Sequence, residues 1–398
     1  MVTHPLATQP TERPTASEKY AGSRHLGVLP TGCVQCREGA KLVLFVTGLC
    51  DKECFYCPVS RDKMYRDVMF ANERPIHQGD WDALLDECRL IGAKGAGITG
   101  GDPMVVPDRV CEVLRVLKAE FGPSFHTHLY TSCAFDIDEI DRLKEAGLDE
   151  IRFHPELREY KDMPGSWHHA AIERALAVGL TTLVEIPAVP GREEEILALA
   201  TYLADVGAHG LNMNELEFSD PNIASLKRFG YEPRDDESQR VAGSRETGLA
   251  VLEGWQAAGR RRDMAVHFCS SPYKDAIQLM QRLRRRAERT ARPFEEQSEE
   301  GTLLFGVVRS TTGESPGILA ERLRAEFEVP ADWVVVVGDR VETAPAVAEV
   351  LAEEGGLVAL GAEAWISEVY PTADRLEVER VPLSAARGNS LGSGSSAA

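Results

Sequence analysis

The stretch KLVLFVTGLCDKECFYCP, residues 41–58, decides how the rest of the chain is read. Its opening run, KLVLFVTG, is rich in β-forming residues and closes on a glycine, the pattern of a short buried strand. Directly beyond it Cys50, Cys54 and Cys57 stand in a C-x3-C-x2-C spacing, which puts three thiols on the loop at that strand's C-terminal end. Where strands run parallel, such loops open onto one face, and sites are built there. Three close thiolates can each hold one iron of a cubane and leave the fourth iron without a protein ligand. Two readings compete with a cluster. Zinc takes a closed set of four ligands, and no fourth follows nearby. The other alternative is three unrelated buried cysteines.

Further β-rich runs follow at 95–101 (GAGITGG), 126–132 (HTHLYTS), 150–156 (EIRFHPE), 181–191 (TTLVEIPAVPG), 211–218 (LNMNELEF) and 264–269 (MAVHFC). Helical periods separate them: Trp81, Leu84, Leu85 and Cys88 share one face, as do Ile137, Ile140 and Leu143 before the stop at Gly147. Repeated strand–helix alternation means parallel strands with crossover helices, in a barrel or a doubly wound sheet. A second alternating segment begins near residue 297. The 398 residues exceed the ~250–300 at which a single core stops growing, so a large domain and a smaller one are expected.

The cysteine triplet resembles that of the radical S-adenosylmethionine (SAM) superfamily, with Tyr56 as the aromatic residue before the last cysteine. The resemblance extends to ITGGDP at the next strand, where Gly100, Gly101 and Asp102 match the stretch that receives SAM's amino group. Glycine there lets backbone carbonyls approach the ligand without a Cβ between. Over residues 41–220 the resemblance implies a partial (β/α)6 TIM-type barrel. It also implies a 4Fe–4S cluster whose vacant iron chelates SAM, giving methionine and a 5′-deoxyadenosyl radical that abstracts hydrogen from a substrate. An external one-electron donor of flavodoxin or ferredoxin type is implied with it. Ser132, His154, Glu185 and Asn214, at later strand ends, are nominated to hold SAM, and Glu215 and Glu217 to face either SAM or substrate. The fold is thus expected to be α/β, with a smaller C-terminal α/β sandwich.

On this reading residues 1–28 form a disordered N-terminal segment and 29–40 an extension carrying a C-x2-C pair. Residues 41–272 form the barrel, 273–296 a basic connecting helix, 297–385 the C-terminal domain and 386–398 a flexible tail. Cys33 and Cys36 of the extension, with Cys269, are expected to lie close together. They would hold an auxiliary iron–sulfur cluster of the kind many radical SAM enzymes carry, a zinc ion completed by His267, or nothing. Cys88 and Cys111 look like core packing.

A formal charge of −19 argues against whole-surface binding to nucleic acid or an anionic membrane. The connecting helix carries Arg282, Arg284, Arg285, Arg286, Arg289 and Arg292. It is read as a solvated face pairing with acidic groups in preference to an RNA contact. No signal-peptide core or membrane span is evident, so a cytoplasmic protein is expected, its clustered cysteines serving as metal ligands or catalytic thiols.

Resemblance to a largely archaeal family related to pyruvate formate-lyase activating enzyme reaches residue 383, carried by CVQCREGAKLVLFVTGLC, NELEFS, FCSSPYKDAIQL and YPTADRLEVERVPL. Three functions are carried forward: a radical SAM enzyme with its own substrate, an activase of a glycyl-radical partner, and a non-catalytic iron–sulfur or zinc module. The first is preferred. The additions to the barrel are expected to cover its lateral opening and shape a pocket.

Overall fold

In a computed structural model, residues 21–235, 239–260 and 263–384 are described. They form two units, one comprising residues up to Arg89 with Ala93–Leu279, the other Leu90–Gly92 with Met280 onward. The division falls inside the expected connecting helix. Residues 1–20 and 385–398, which include most of the segment and tail expected to be unfolded, lie outside the described residues.

The first unit is built on a ten-stranded sheet. Its strands are β1 (Arg24–Leu26), β2 (Lys41–Phe45), β3 (Met69–Ala71), β4 (Arg74–Ile76), β5 (Gly95–Thr99), β6 (His126–Thr131), β7 (Glu150–Phe153), β8 (Thr181–Ala188), β9 (Gly210–Glu215) and β10 (Ala265–Cys269). Its helices are α1 (Thr31–Arg37), α2 (Trp81–Leu90), α3 (Pro107–Phe121), α4 (Glu139–Ala146), α5 (Trp167–Ala177), α6 (Glu193–Asp205), α7 (Ile223–Arg228), α8 (Ser244–Ala258) and the single turn α9 (Ser271–Tyr273). A π-helical turn, Lys274–Leu279, ends the unit.

The sheet order is β1-β10-β9-β8-β7-β6-β5-β2-β3-β4. From β2 through β5–β9 to β10 every neighbouring pair is parallel and the strands follow chain order. No reversal of direction occurs, so this is singly wound, barrel-type topology and not the doubly wound alternative. A seventh parallel strand, β10, thus extends the six expected units.

Residues 24–26 correct the expectation of disorder to residue 28: β1 pairs antiparallel with the edge of β10. Three residues are too few to show a period, and their order comes from a distant partner. The helices stop where their sequences dictate. After α4, Gly147 takes φ 109°, a left-handed conformation that glycine adopts without a Cβ penalty. Ile140 and Leu143 of α4 are fully buried, each stabilising the fold by about 1.5–3 kcal/mol. Cys88 and Cys111 are buried on α2 and α3.

The second unit contains α10 (Met280–Thr290), β11 (Glu296–Gln297), β12 (Leu303–Ser310), α11 (Pro316–Glu326), β13 (Val335–Val337), β14 (Arg340–Thr343), α12 (Pro345–Glu353), α13 (Gly356–Leu360), β15 (Ala362–Val369) and β16 (Glu377–Leu383). Its sheet, β13-β14-β12-β15-β16 with β11 beside β12, is antiparallel throughout. Leu319, Leu323, Leu351 and Leu360 from its helices pack on Val308, Val341 and Ala364. The arginines of α10 are largely spent inside this unit. Arg284 donates to the Glu299 carbonyl and Arg286 to that of Pro371, while Arg292, just beyond the helix, pairs with Glu342. Bonding to carbonyls as well as carboxylates departs from the ion-paired face expected.

Candidate active site

Beyond β2 the chain turns through residues 46–58, and close backbone packing shapes that loop. Gly101 N–H donates to the Thr47 carbonyl and Asp102 N–H to that of Leu49, both at 2.8 Å. A Cβ on Gly100 would collide with the Thr47 carbonyl oxygen, and one on Gly101 with that of Leu49. These glycines are therefore required by contact between the end of β5 and the cysteine loop, a reason additional to the ligand approach expected.

Cys50, Cys54 and Cys57 are half-buried, and none of the nine cysteines is disulfide-bonded. A hydrogen bond from the Cys133 thiol, helped by the Lys52 N–H, brings the Cys50 thiol down to about 7 against the opposing effect of burial. Burial pushes Cys54 up to about 11 and raises Cys57.

A cavity of ≈ 1150 Å³ adjoins the loop. Its walls include all three cysteines and Tyr56, Gly100, Gly101, Asp102, Ser132, His154, Glu185 and Asn214, whereas Glu215 and Glu217 line a different cavity.

Their remaining bonding capacity differs. The Asp102 carboxylate accepts from Met104 N–H, Thr131 hydroxyl, Ser132 N–H and Cys133 N–H. The side-chain lone pairs are committed to the protein, which makes the carboxylate a positioning group and leaves the backbone of this stretch to face a ligand. His154 Nδ1–H donates to the Glu185 carbonyl at 2.6 Å, so Nε2 accepts from the Tyr56 hydroxyl at 2.7 Å. Burial lowers the His154 pKa and favours the neutral ring. Glu185 receives Arg152 at 2.6 Å and Asn214 at 2.9 Å. Ser132 Oγ, by contrast, is buried without a partner.

A smaller cavity of ≈ 380 Å³ is lined by Cys33, Cys36 and Cys269 together with Arg152, Glu185, Asn212, Glu215, Glu217, His267 and Lys274. Glu217 and Lys274 are ion-paired, and Glu215 accepts from Ser271 N–H at 2.8 Å. Arg152 bridges Glu150 and Glu185 at 2.5 and 2.6 Å. Burial is the largest single influence on the Glu150 carboxylate and works against its charge, but Arg152, His126 and Lys41 together outweigh it and hold the group at about 2. Lys41 meets His126 Nδ1 at 2.6 Å, and burial brings its pKa down to about 7.

Arg152, Cys133 and Lys41 escaped the sequence reading. The available signal was polarity: charged residues at Lys41, Glu150 and Arg152 interrupt strands that a parallel sheet buries on both faces.

A family model described as the radical SAM superfamily matches residues 44–203. A Methanocaldococcus jannaschii protein provisionally named a glycyl-radical enzyme activating enzyme is 39% identical over 379 residues, covering 92% of this chain and 96% of that protein. The chain belongs to the radical SAM superfamily. It is a radical SAM enzyme, and the 4Fe–4S cluster and SAM come with the family. A Lactiplantibacillus plantarum GTP 3′,8-cyclase is 30% identical over 108 residues, 27% of this chain and 31% of that one. The crystal structure of Streptococcus suis SuiB bound to S-adenosylmethionine aligns with TM-score 0.40 and 13% identity over 65% of this chain and 54% of that one. Residues 301–383 match a family model described as a domain of unknown function, DUF8061. Among the described residues no helix is long and apolar enough to cross a membrane.

Proposed function

We propose that this radical SAM enzyme holds its cluster on Cys50, Cys54 and Cys57 and acts on a small molecule enclosed in the adjoining cavity. The observation that carries this reading is the ≈ 1150 Å³ cavity shared by the three cysteines and by Tyr56, Gly100, Gly101, Ser132, His154, Glu185 and Asn214. The donor set suits a cubane. The thiols are not disulfide-bonded, and among the described residues no three Cys, His, Asp or Glu side chains gather on one ion. Ser132 Oγ keeps its bonding capacity for a ligand.

Once bound, the cluster supplies one-electron reduction of SAM to methionine and the 5′-deoxyadenosyl radical. The chain's own residues orient and enclose. Asp102 fixes the backbone of Ser132 and Cys133 against the cysteine loop. His154 holds the Tyr56 hydroxyl, and Arg152 fixes Glu185, which holds Asn214. Packing of α1 against both the early strands and the Lys274–Leu279 turn after β10 supports enclosure, because it bridges the two ends of the parallel run. An external donor of flavodoxin or ferredoxin type would deliver the electron in the cytoplasm, a compartment that suits nine cysteines of which none is disulfide-bonded.

The second reading, an activase of a glycyl-radical protein, is favoured by the name of the M. jannaschii relative. Full-length protein incubated with dithionite and SAM should make 5′-deoxyadenosine, and the variant with all three loop cysteines changed to Ala should fall to background. Product made by that variant would refute the ligand assignment. Acceleration by a small-molecule cell fraction is expected; acceleration by the macromolecular fraction alone would overturn the enclosed small-molecule reading.

A further inference from the structure

We propose that Cys33, Cys36, Cys269 and His267 hold a second iron–sulfur cluster whose terminal protein positions are all filled. Cys33 and Cys36 sit at i and i+3 on α1 and so share a face. Cys269 ends β10, and His267, two residues earlier, projects to the same side of that strand. All four line the ≈ 380 Å³ cavity, although α1 and β10 lie near opposite ends of the first unit's sequence.

The imidazole is presented as a ligand by its hydrogen bonds. Ser23 Oγ gives its one hydrogen to the Phe268 carbonyl at 2.8 Å. It must then accept from His267 Nε2–H, 2.9 Å away, which leaves Nδ1 as a bare lone pair. That Nδ1 is buried and has no partner in the protein. The sulfurs are served by donors: Arg152 Nη2 lies 3.4 Å from Cys33 Sγ, and Gln278 Nε2 lies 3.8 Å from Cys269 Sγ. A cation and an amide beside ligating thiolates offset their charge and set a cluster's potential.

A single zinc would need its ligands drawn to ~2.3 Å for each sulfur. Among the described residues no three such side chains gather on one ion, whereas ligands to different irons stand apart. Three thiolates and one imidazole complete the terminal set of a two-iron or four-iron cluster. No iron is left open to a substrate, so this centre transfers electrons and does not bind the reactant.

The test starts from full-length protein carrying Cys50→Ala, Cys54→Ala and Cys57→Ala, which removes the other cluster and separates this inference from the proposed function. After anaerobic reconstitution, about two to four irons and matching acid-labile sulfide per chain should remain. Adding Cys33→Ser and Cys36→Ser should remove them. Should the triple variant not fold, the Cys33→Ser/Cys36→Ser pair in the otherwise native protein should lose those irons while keeping the rest. His267→Cys should retain the iron and move the midpoint potential, read by EPR titration, to a more negative value, because thiolate replaces neutral imidazole. Absence of iron and sulfide, or about one zinc in their place, overturns the proposal. An EPR spectrum and potential unchanged in His267→Cys overturns the assignment of the fourth ligand.

Discussion

The carboxylate of Asp102 accepts the backbone N–H of Cys133 at 2.8 Å and so ties the end of β5 to the loop that follows β6. The same carboxylate serves Met104, Thr131 and Ser132. Asp102→Ala would leave several buried donors unsatisfied at about 1–3 kcal/mol each, so a loss of at least about 3 kcal/mol is expected in urea unfolding of the anaerobic protein. Asp102→Asn, which places an amide among donors, should lose a comparable amount.

The Cys133 thiol, acting as a hydrogen-bond donor, is the largest influence holding the Cys50 thiol below the ordinary thiol value. Hydrogen bonds to a ligating sulfur favour the reduced cluster. Cys133→Ala should therefore make the midpoint potential of the Cys50 cluster more negative in an EPR-monitored titration, and Cys133→Ser, which keeps a donor, should fall between. Equal potentials in all three proteins would show the contact to be idle.

Arg152 is buried between Glu150 and Glu185. Removing one partner of a buried ion pair costs about 3–5 kcal/mol, and Arg152→Ala should destabilise by that amount in denaturant. Arg152→Lys should recover only part of the loss, since an ammonium cannot reproduce the planar fork.

Lys41, buried and lowered to about 7, binds fewer protons in the folded chain than in the unfolded one above that pH. Its contribution to stability must then rise as pH increases from 7 toward the ordinary lysine value, by the linkage relation. The difference in unfolding free energy between the native protein and Lys41→Met should grow in favour of the native protein from pH 7 to 9. A difference constant across that range would show that Lys41 keeps its charge in the fold.

Features set by neighbouring residues were legible in the sequence. The loop cysteines, the strand run EIRFHPE and the helix stop at Gly147 each depend on a short window, and the family follows from the first of these. Features set across the sheet were not. Arg152 looks like one charged residue in a strand until Glu185, on the next strand, is placed beside it. Arg24–Leu26 carries no period, because its order is borrowed from β10. The antiparallel sheet of the second unit was equally hidden, since strand direction is decided by which strands pair and not by the composition of any one. Asp102 was placed at the correct strand end, but only its hydrogen bonds reveal that it serves the backbone.

The strand order has a consequence for biosynthesis. Because β2 through β10 add to the sheet in the order in which they leave the ribosome, the cysteine loop emerges first and waits exposed while its surroundings are made. The wall that carries Glu185 and Asn214 arrives late, and Cys269 later still. Delivery of iron to a nascent chain would therefore find thiols without their enclosure, so loading is best suited to the finished unit, as a last step of maturation under reducing conditions.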